Sequence, residues 1–145
     1  MADAICERIL QRLVEVVDAA VLAPVYRSRD AALASSQLPA VVITPLQDDP
    51  AEEGGTICWI DWTLTVAVDV VVGAGVEQVA HPIRAAAHAA VMANRDLSPV
   101  PGVMDVRPGT TVYRMQNTGG EHAFLRSSFT VSYRTRHDDL TVAPS

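Results

Sequence analysis

The stretch WIDWTLTVAVDVVV, residues 59–72, decides how this chain is read. Its even positions from Ile60 to Val72 are all apolar: Ile, Trp, Leu and then four valines. Its odd positions from Asp61 to Asp69 are Asp, Thr, Thr, Ala and Asp. That strict period of two predicts a β-strand with one buried face and one wet face. Trp59 and Trp62 fall on opposite faces, so one is a core residue and the other a candidate interface anchor.

A second run of the same kind lies at His122–Arg136. Ala123, Leu125, Ser127, Phe129, Val131 and Tyr133 share one face; Phe124, Arg126, Ser128, Thr130, Ser132 and Arg134 share the other. Thr111–Asn117 precedes it as an extended run, and the glycines of Thr118–Glu121 between them signal a hairpin. Leu38–Leu46 reads as a further strand with Pro39 and Pro45 near its ends, where proline is tolerated. Residues 24–30 suit a short extended piece and 31–36 a loop. The acidic stretch QDDPAEEGGT, residues 47–56, reads as the loop that leads into the central strand. Residues 95–110 hold Pro99, Pro101, Pro108, Gly102 and Gly109, which predicts a loop with a short strand at Val103–Arg107.

Two segments carry the helical period. Over residues 3–21, Ile5, Ile9, Leu13, Val16, Val17 and Ala20 make one stripe, with Glu7, Arg8, Gln11, Glu15 and Asp18 opposite. Asp3 is the expected N-cap and Pro24 the stop. Over residues 76–94, Val79, Ile83, Ala86, Ala87, Ala90 and Val91 form the apolar face. Pro82 there must sit near the first turn or kink the helix. The order is α-β-β-β-α-β-β. Helices segregated to one face of a mainly antiparallel twisted sheet define an α+β domain, here residues 1–137, with a flexible tail at 138–145.

Strand length carries further information. A domain of this size has a radius of gyration of about 15 Å. Strands of fourteen and fifteen residues reach roughly 46–50 Å, so Trp59–Val72 and His122–Arg136 must bend hard or end in hairpins that protrude. A protruding hairpin exposes unpaired edges, and assembly with copies of the same chain covers them.

Composition narrows the function classes. Hydrophobic residues make up 49% of the 145, ample for a core, but aromatics only 5%, so that core is built of Val, Ala, Leu and Ile. The net charge of −6 argues against a general nucleic-acid binder. It suits a surface past which DNA slides without being gripped. Cys6 and Cys58 match no metal or redox spacing and read as reduced thiols. Neither a secretory signal nor a membrane-spanning run is legible, which predicts a soluble, intracellular protein.

No catalytic signature is present. His81 and His88 lie seven apart on one helix without a third metal ligand. His137-Asp138-Asp139 stands beside a polar tail, and Ser35-Ser36 and Ser127-Ser128 lack a nucleophile-elbow context. No metal or cofactor is expected. Charge placement says more. Asp48, Asp49, Glu52, Glu53 and Asp61 cluster between Gln47 and Trp62. Arg107, Arg114, Arg126, Arg134 and Arg136 stand against Glu121 alone between Val106 and Arg136. Read as scattered solvated charge, this means little. Read as a head-to-tail contact, one subunit's acidic loop meets the next one's basic strands, an arrangement that closes into rings.

The combination of an N-terminal amphipathic helix, LPAVVITPLQDD at 38–49, WTLTVAVDVVV at 62–72, IRAAAHAAVMAN at 83–94 and the closing hairpin TTVYRMQNTGGEHAFLRSSFTVSYRTR at 110–136 resembles the tail terminator proteins of long-tailed phages and their prophage or gene transfer agent relatives. The likeness covers nearly the whole chain in element order, and FTVSYRT is its most suggestive piece. It implies a structural virion protein, assembled in the host cytoplasm. Such a protein forms a hexameric ring on the head-proximal end of the tail tube and stops tube polymerisation. It also presents a docking surface to the head-completion protein and lets DNA pass without specific binding. Asp48, Asp49, Glu52, Glu53, Trp59, Asp61, Arg114, Arg126, Arg134 and Arg136 are the resulting candidates for subunit contacts or lumen lining. Another head–tail connector or tail-completion protein is the near alternative. A small oligomeric ligand-binding or enzyme domain is the distant one.

Overall fold

A computed structural model of the chain describes residues 3–28, 38–51, 58–73, 77–114 and 122–144. The elements in order are α1 (Ile5–Ala20), β1 (Val25–Arg27), β2 (Ala40–Pro50), β3 (Trp59–Gly73), a 3-10 turn at Glu77–Val79, α2 (Ala80–Ala93), β4 (Val103–Arg114) and β5 (His122–Arg136). The strands form one open sheet in the spatial order β1-β2-β3-β5-β4. Every pairing is antiparallel except that of β1, which runs parallel to β2. α1 packs over β1 and β2, and α2 over β3, β4 and β5. This is the predicted α+β order, as a mixed sheet.

The period of two decides which face the helices cover. Leu64, Val66, Val68, Val70 and Val72 of β3 are buried, as are Ala123, Leu125, Phe129, Val131 and Tyr133 of β5. Ile5, Ile9, Leu10, Leu13, Val16 and Val17 of α1 close over the β2 side, whereas Ala20 is exposed. Ala80, Ala87 and Val91 bring the slim α2 down on the other half. Val79, expected on that apolar face, is exposed because the helix proper starts one residue later. Pro82 falls in the first turn, where its missing donor costs nothing. β3 and β5 pair over their full fifteen residues, Trp59↔Arg136 through Gly73↔His122.

Four local expectations are corrected. First, the N-cap is Ala4, which offers no side-chain bond. The Asp3 carboxylate accepts from Gln11 Nε2 instead, at 3.3 Å. Second, residues 137–144, most of the stretch expected as a flexible tail, form a hydrogen-bonded turn against the domain. Ile5 N–H, an orphan donor at the start of α1, donates to Leu140 O at 2.9 Å, and Arg136 N–H donates to Val142 O. Asp139 Oδ1 holds the turn by accepting from Thr141 N–H and Oγ1.

Third, β2 does not end at Leu46. It shifts register between Pro45 and Gln47, leaving Leu46 as the extra residue, and continues to Pro50. Residues 48 and 49, expected in a loop, are therefore strand residues; the rest of that acidic stretch, 52–56, lies outside the described residues. Fourth, β4 is one strand running through Pro108 and Gly109, with a register shift between Pro108 and Thr111. It is an edge strand, so a proline without an N–H does not break a ladder on its open side. The turn before it needs glycine at 102. Its φ is +82°, and a Cβ there would meet Arg134 O at 2.4 Å.

Candidate assembly surface

The sheet face away from the helices is mainly polar, and among the described residues no element lies over it. Its centre is a strip of hydroxyl and methyl groups, Thr63, Thr65 and Ala67 on β3 beside Ser132, Thr130 and Ser128 on β5. At each end of the strip stands an ion pair between directly opposite residues. Arg126 Nε and Nη2 donate to Asp69 Oδ1 and Oδ2 at 2.8 and 2.9 Å. Arg134 Nε and Nη2 donate to Asp61 Oδ1 and Oδ2 at 2.6 and 3.2 Å. Both are the two-pronged geometry that suits a planar guanidinium. The Arg126 guanidinium also lies over the Phe124 ring at 5.7 Å, and that of Arg134 over Trp59 at 4.8 Å. Trp59 thus belongs to this outer face. Trp62 lies on the core face, stacked with Tyr133 at 6.4 Å and donating from Nε1 to Thr135 Oγ1 at 3.1 Å.

The charge segregation visible along the chain is largely folded away. Arg126 and Arg134 face carboxylates of their own sheet. Arg107 reaches Asp105 at 3.3 Å, and Arg95 reaches the same carboxylate at 2.9 Å. Arg136, half-exposed, lies 3.5 Å from Asp138. Arg114 is exposed at the far end of β4 with no such partner among the described residues. On the acidic side, Asp49 is exposed and accepts from Gln47 Nε2 at 2.6 Å. Glu52 and Glu53 lie outside the described residues.

Asp48 is the unexpected member of this group. The bulge at Leu46 turns its side chain to the helix face, where it pairs with Leu64 and accepts from the Tyr133 hydroxyl. Its Oδ1 is buried with no hydrogen-bond partner among the described residues. Burial raises the Asp48 carboxyl above the usual range, Asp49 adds to this, and the Tyr133 hydrogen bond opposes it. Burial, with the Asp48 carboxylate behind it, also raises the Tyr133 hydroxyl. The sign of the resulting pH dependence follows. The folded chain holds the Asp48 proton more tightly than the unfolded chain, so Asp48's contribution to stability grows on acidification. It is lost as pH rises through the folded-state pKa. Asp48→Asn keeps an acceptor for Tyr133 and removes the charge. It is expected to flatten this part of the profile, raising stability at pH 7 relative to pH 4 in urea titrations. A variant whose stability difference between the two pH values matches that of the parent would refute the assignment.

Two residues that sequence reasoning passed over complete the picture. Asp69 reads only as a wet-face residue, yet it is 8% exposed and neutralises Arg126. Arg84 of α2 donates to Ser127 Oγ and Thr111 Oγ1 at 3.2 and 2.8 Å, tying the helix to β4 and β5. The histidines considered as ligands pack on rings, His81 against Tyr113 at 6.0 Å and His88 against Phe129 at 5.9 Å. Among the described residues no group of three or more His, Cys, Asp or Glu is placed to hold a metal. Nor is any helix of these residues long and apolar enough to cross a membrane. An open apolar groove of about 800 Å³ lies where α1 ends, lined by Leu22, Pro24, Tyr26, Leu38, Val79 and Ile83 among others.

Comparison with known proteins finds no matching family model and no matching curated protein. Among solved structures, this chain is similar to a chain in the virion of a native gene transfer agent particle. The TM-score is 0.57 at 16% identity, over 90% of this chain and 92% of that one. It also matches the type 4 fimbrial biogenesis protein PilO from Pseudomonas aeruginosa, with a TM-score of 0.38, 11% identity and coverage of 90% and 68%. The first likeness means that the same fold occurs in a virion chain of nearly the same extent.

Proposed function

We propose that this chain is a structural protein of a phage-like particle, a tail terminator. In this reading copies of it form a ring, a hexamer in the resembled family, on the head-proximal end of the tail tube. The ring stops tube growth, presents a surface to the head-completion protein and lets DNA pass. The observation that carries the reading is the shared fold with a gene transfer agent virion chain over nine-tenths of both chains. The architecture supports it. An open five-stranded sheet leaves β1 and β4 as edges, and among the described residues no element lies over the face away from the helices; such surfaces call for assembly. The net charge of −6 suits a bore that repels phosphate.

Negative-stain imaging of the purified protein, alone and mixed with purified tail tubes, tests this. Rings with a central hole, or a cap on one end of each tube, are expected. A compact monomer that neither forms rings nor binds tube ends would sink the proposal.

A further inference from the structure

The structure leaves two unmatched features at diagonally opposite corners of the sheet. One is basic. Among the described residues, Arg8 and Arg114 are the arginines whose side chains have neither an ion-pair nor a hydrogen-bond partner there, and Arg114 is the one on the sheet. It ends β4, an edge strand, and follows Val112 and Tyr113, which are 38% and 50% exposed. Val112 and Arg114 share the outer face, since they stand opposite Arg126 and Phe124. The corner therefore offers a long basic side chain beside exposed Val112 on the outer face, with half-exposed Tyr113 between them on the opposite face against His81.

The other corner is its complement. The bulge in β2 pushes Leu46 out to 45% exposure. Beside it a notch of about 340 Å³ opens between α1 and β2, lined by Cys6, Leu10, Leu46, Asp48 and Leu64. Asp48 Oδ2 is used by Tyr133, whereas Oδ1 is buried and has no donor among the described residues. A buried carboxylate oxygen left without a donor is costly. Arginine fits such a place better than other donors, because its stem packs on apolar walls while its guanidinium delivers hydrogen bonds to the carboxylate.

The two corners of one chain cannot meet. Asp48 stands beside Leu64, and Arg114 is level with Val71 through Phe124. That separates them by roughly 23 Å along the strands and by three strand spacings, roughly 14 Å, across them. A second copy can bring them together.

We infer that the β4 corner of one copy, Val112, Tyr113 and Arg114, docks at the Leu46–Asp48 notch of the next, with the Arg114 guanidinium donating to Asp48 Oδ1. The contact is heterologous, with a different surface on each partner, so it propagates from copy to copy until rotation closes it. This inference rests on the ring reading above and names the contact that would build the ring. It also reassigns the basic partner: Arg126 and Arg134 are committed to Asp69 and Asp61 within their own chain, and Arg114 remains.

The test uses the full chain. Arg114→Glu is expected to raise the concentration needed for assembly at least about thirty-fold, as loss of a desolvated charge pair does; sedimentation velocity reads the shift, and circular dichroism checks that the variant is folded. Combining Asp48→Arg with Arg114→Glu should recover assembly that Arg114→Glu alone loses. Because Asp48→Arg disturbs the Tyr133 bond, a second measurement stands beside it. In a Cys6→Ser, Cys58→Ser background, chains carrying Leu46→Cys are mixed with chains carrying Val112→Cys, which keep Arg114, and oxidised. Disulfide-linked dimers should form in the mixture well above the level of either variant alone. Intact rings from Arg114→Glu, together with no cross-link in the mixture, would overturn the contact while leaving the ring reading in place. A parent chain that is monomeric alone and with tube ends would overturn both.

Discussion

Phe129→Ala is expected to destabilise the fold by about 3–5 kcal/mol. Phe129 sits at the middle of β5, 1% exposed, and heads the largest fully buried side chains. On the sheet it stands between Val66 of β3 and Pro108 of β4, and His88 of α2 lies 5.9 Å above it, ring to ring. The composition makes the site hard to repair. Aromatics are 5% of the chain, and the core around Phe129 is mostly valine, whose branched side chains do not swing into a vacated space. The residues α2 buries on the sheet, Ala80, Ala87 and Val91, are too short to reach into the gap. The cavity should therefore persist, and a persistent cavity is what brings a large-to-small substitution to the upper part of its range. Against a total stability of about 5–15 kcal/mol, such a loss is severe. Urea denaturation should show a lower midpoint with an unchanged slope. A loss below about 1 kcal/mol would mean that the sheet and α2 close over the gap, contrary to the packing described.

How much of this was legible in the sequence depended on whether one residue type decides the local outcome. The buried faces of β3 and β5 were legible because Val, Leu and Phe recur every second position over fifteen residues. The stripe of α1 was legible for the same reason at helical spacing. β2 beyond Leu46 and β4 through Pro108 were hidden, since proline was read as the sign of a nearby boundary while a bulge or a free edge lets the strand continue. The C-terminal turn was hidden because backbone groups hold it, Leu140 O and Val142 O accepting from Ile5 and Arg136, and polar composition does not show such bonds.

The cross-strand ion pairs carried a signal that charge counting missed. Asp61 and Asp69 are eight apart on β3, and Arg134 and Arg126 are eight apart on β5. Any antiparallel register that pairs one set pairs the other. Reading charge by region placed the arginines against a neighbouring subunit; reading it by register places them against their own sheet. Of the candidates named from sequence, Trp59, Asp61, Arg126 and Arg134 thus build the outer face of the monomer. Asp48 is drawn inward by a bulge that no residue type announces, and Arg114 is left over.

Arg126→Ala is expected to cost about 2 kcal/mol, the scale of a lost hydrogen-bonded charge in a partly buried place. Its carboxylate partner sets that scale. The Asp69 side chain is 12% exposed and has carbon on either side of it in the sheet, so removing the guanidinium strands a negative charge with little access to water. The Arg126 side chain itself is 35% exposed, and this screening keeps the cost below that of a fully buried pair. The Asp61–Arg134 pair has the same spacing and geometry but opens to solvent on both sides, with 31% and 35% side-chain exposure. Arg134→Ala should therefore cost clearly less, although its hydrogen bonds are as short. Denaturant midpoints of the two variants, with Asp69→Ala and the double variant closing a cycle on the first pair, give the comparison. A coupling energy near zero for Arg126 with Asp69, or equal losses at the two sites, would show that burial does not govern these pairs. The result also controls the assembly experiments. If Arg126 holds its own sheet together, a charge reversal there weakens the monomer before any ring can form. Loss of assembly in that variant would then report folding, whereas loss in Arg114→Glu, at an exposed corner where the side chain has no partner among the described residues, reports contact between copies.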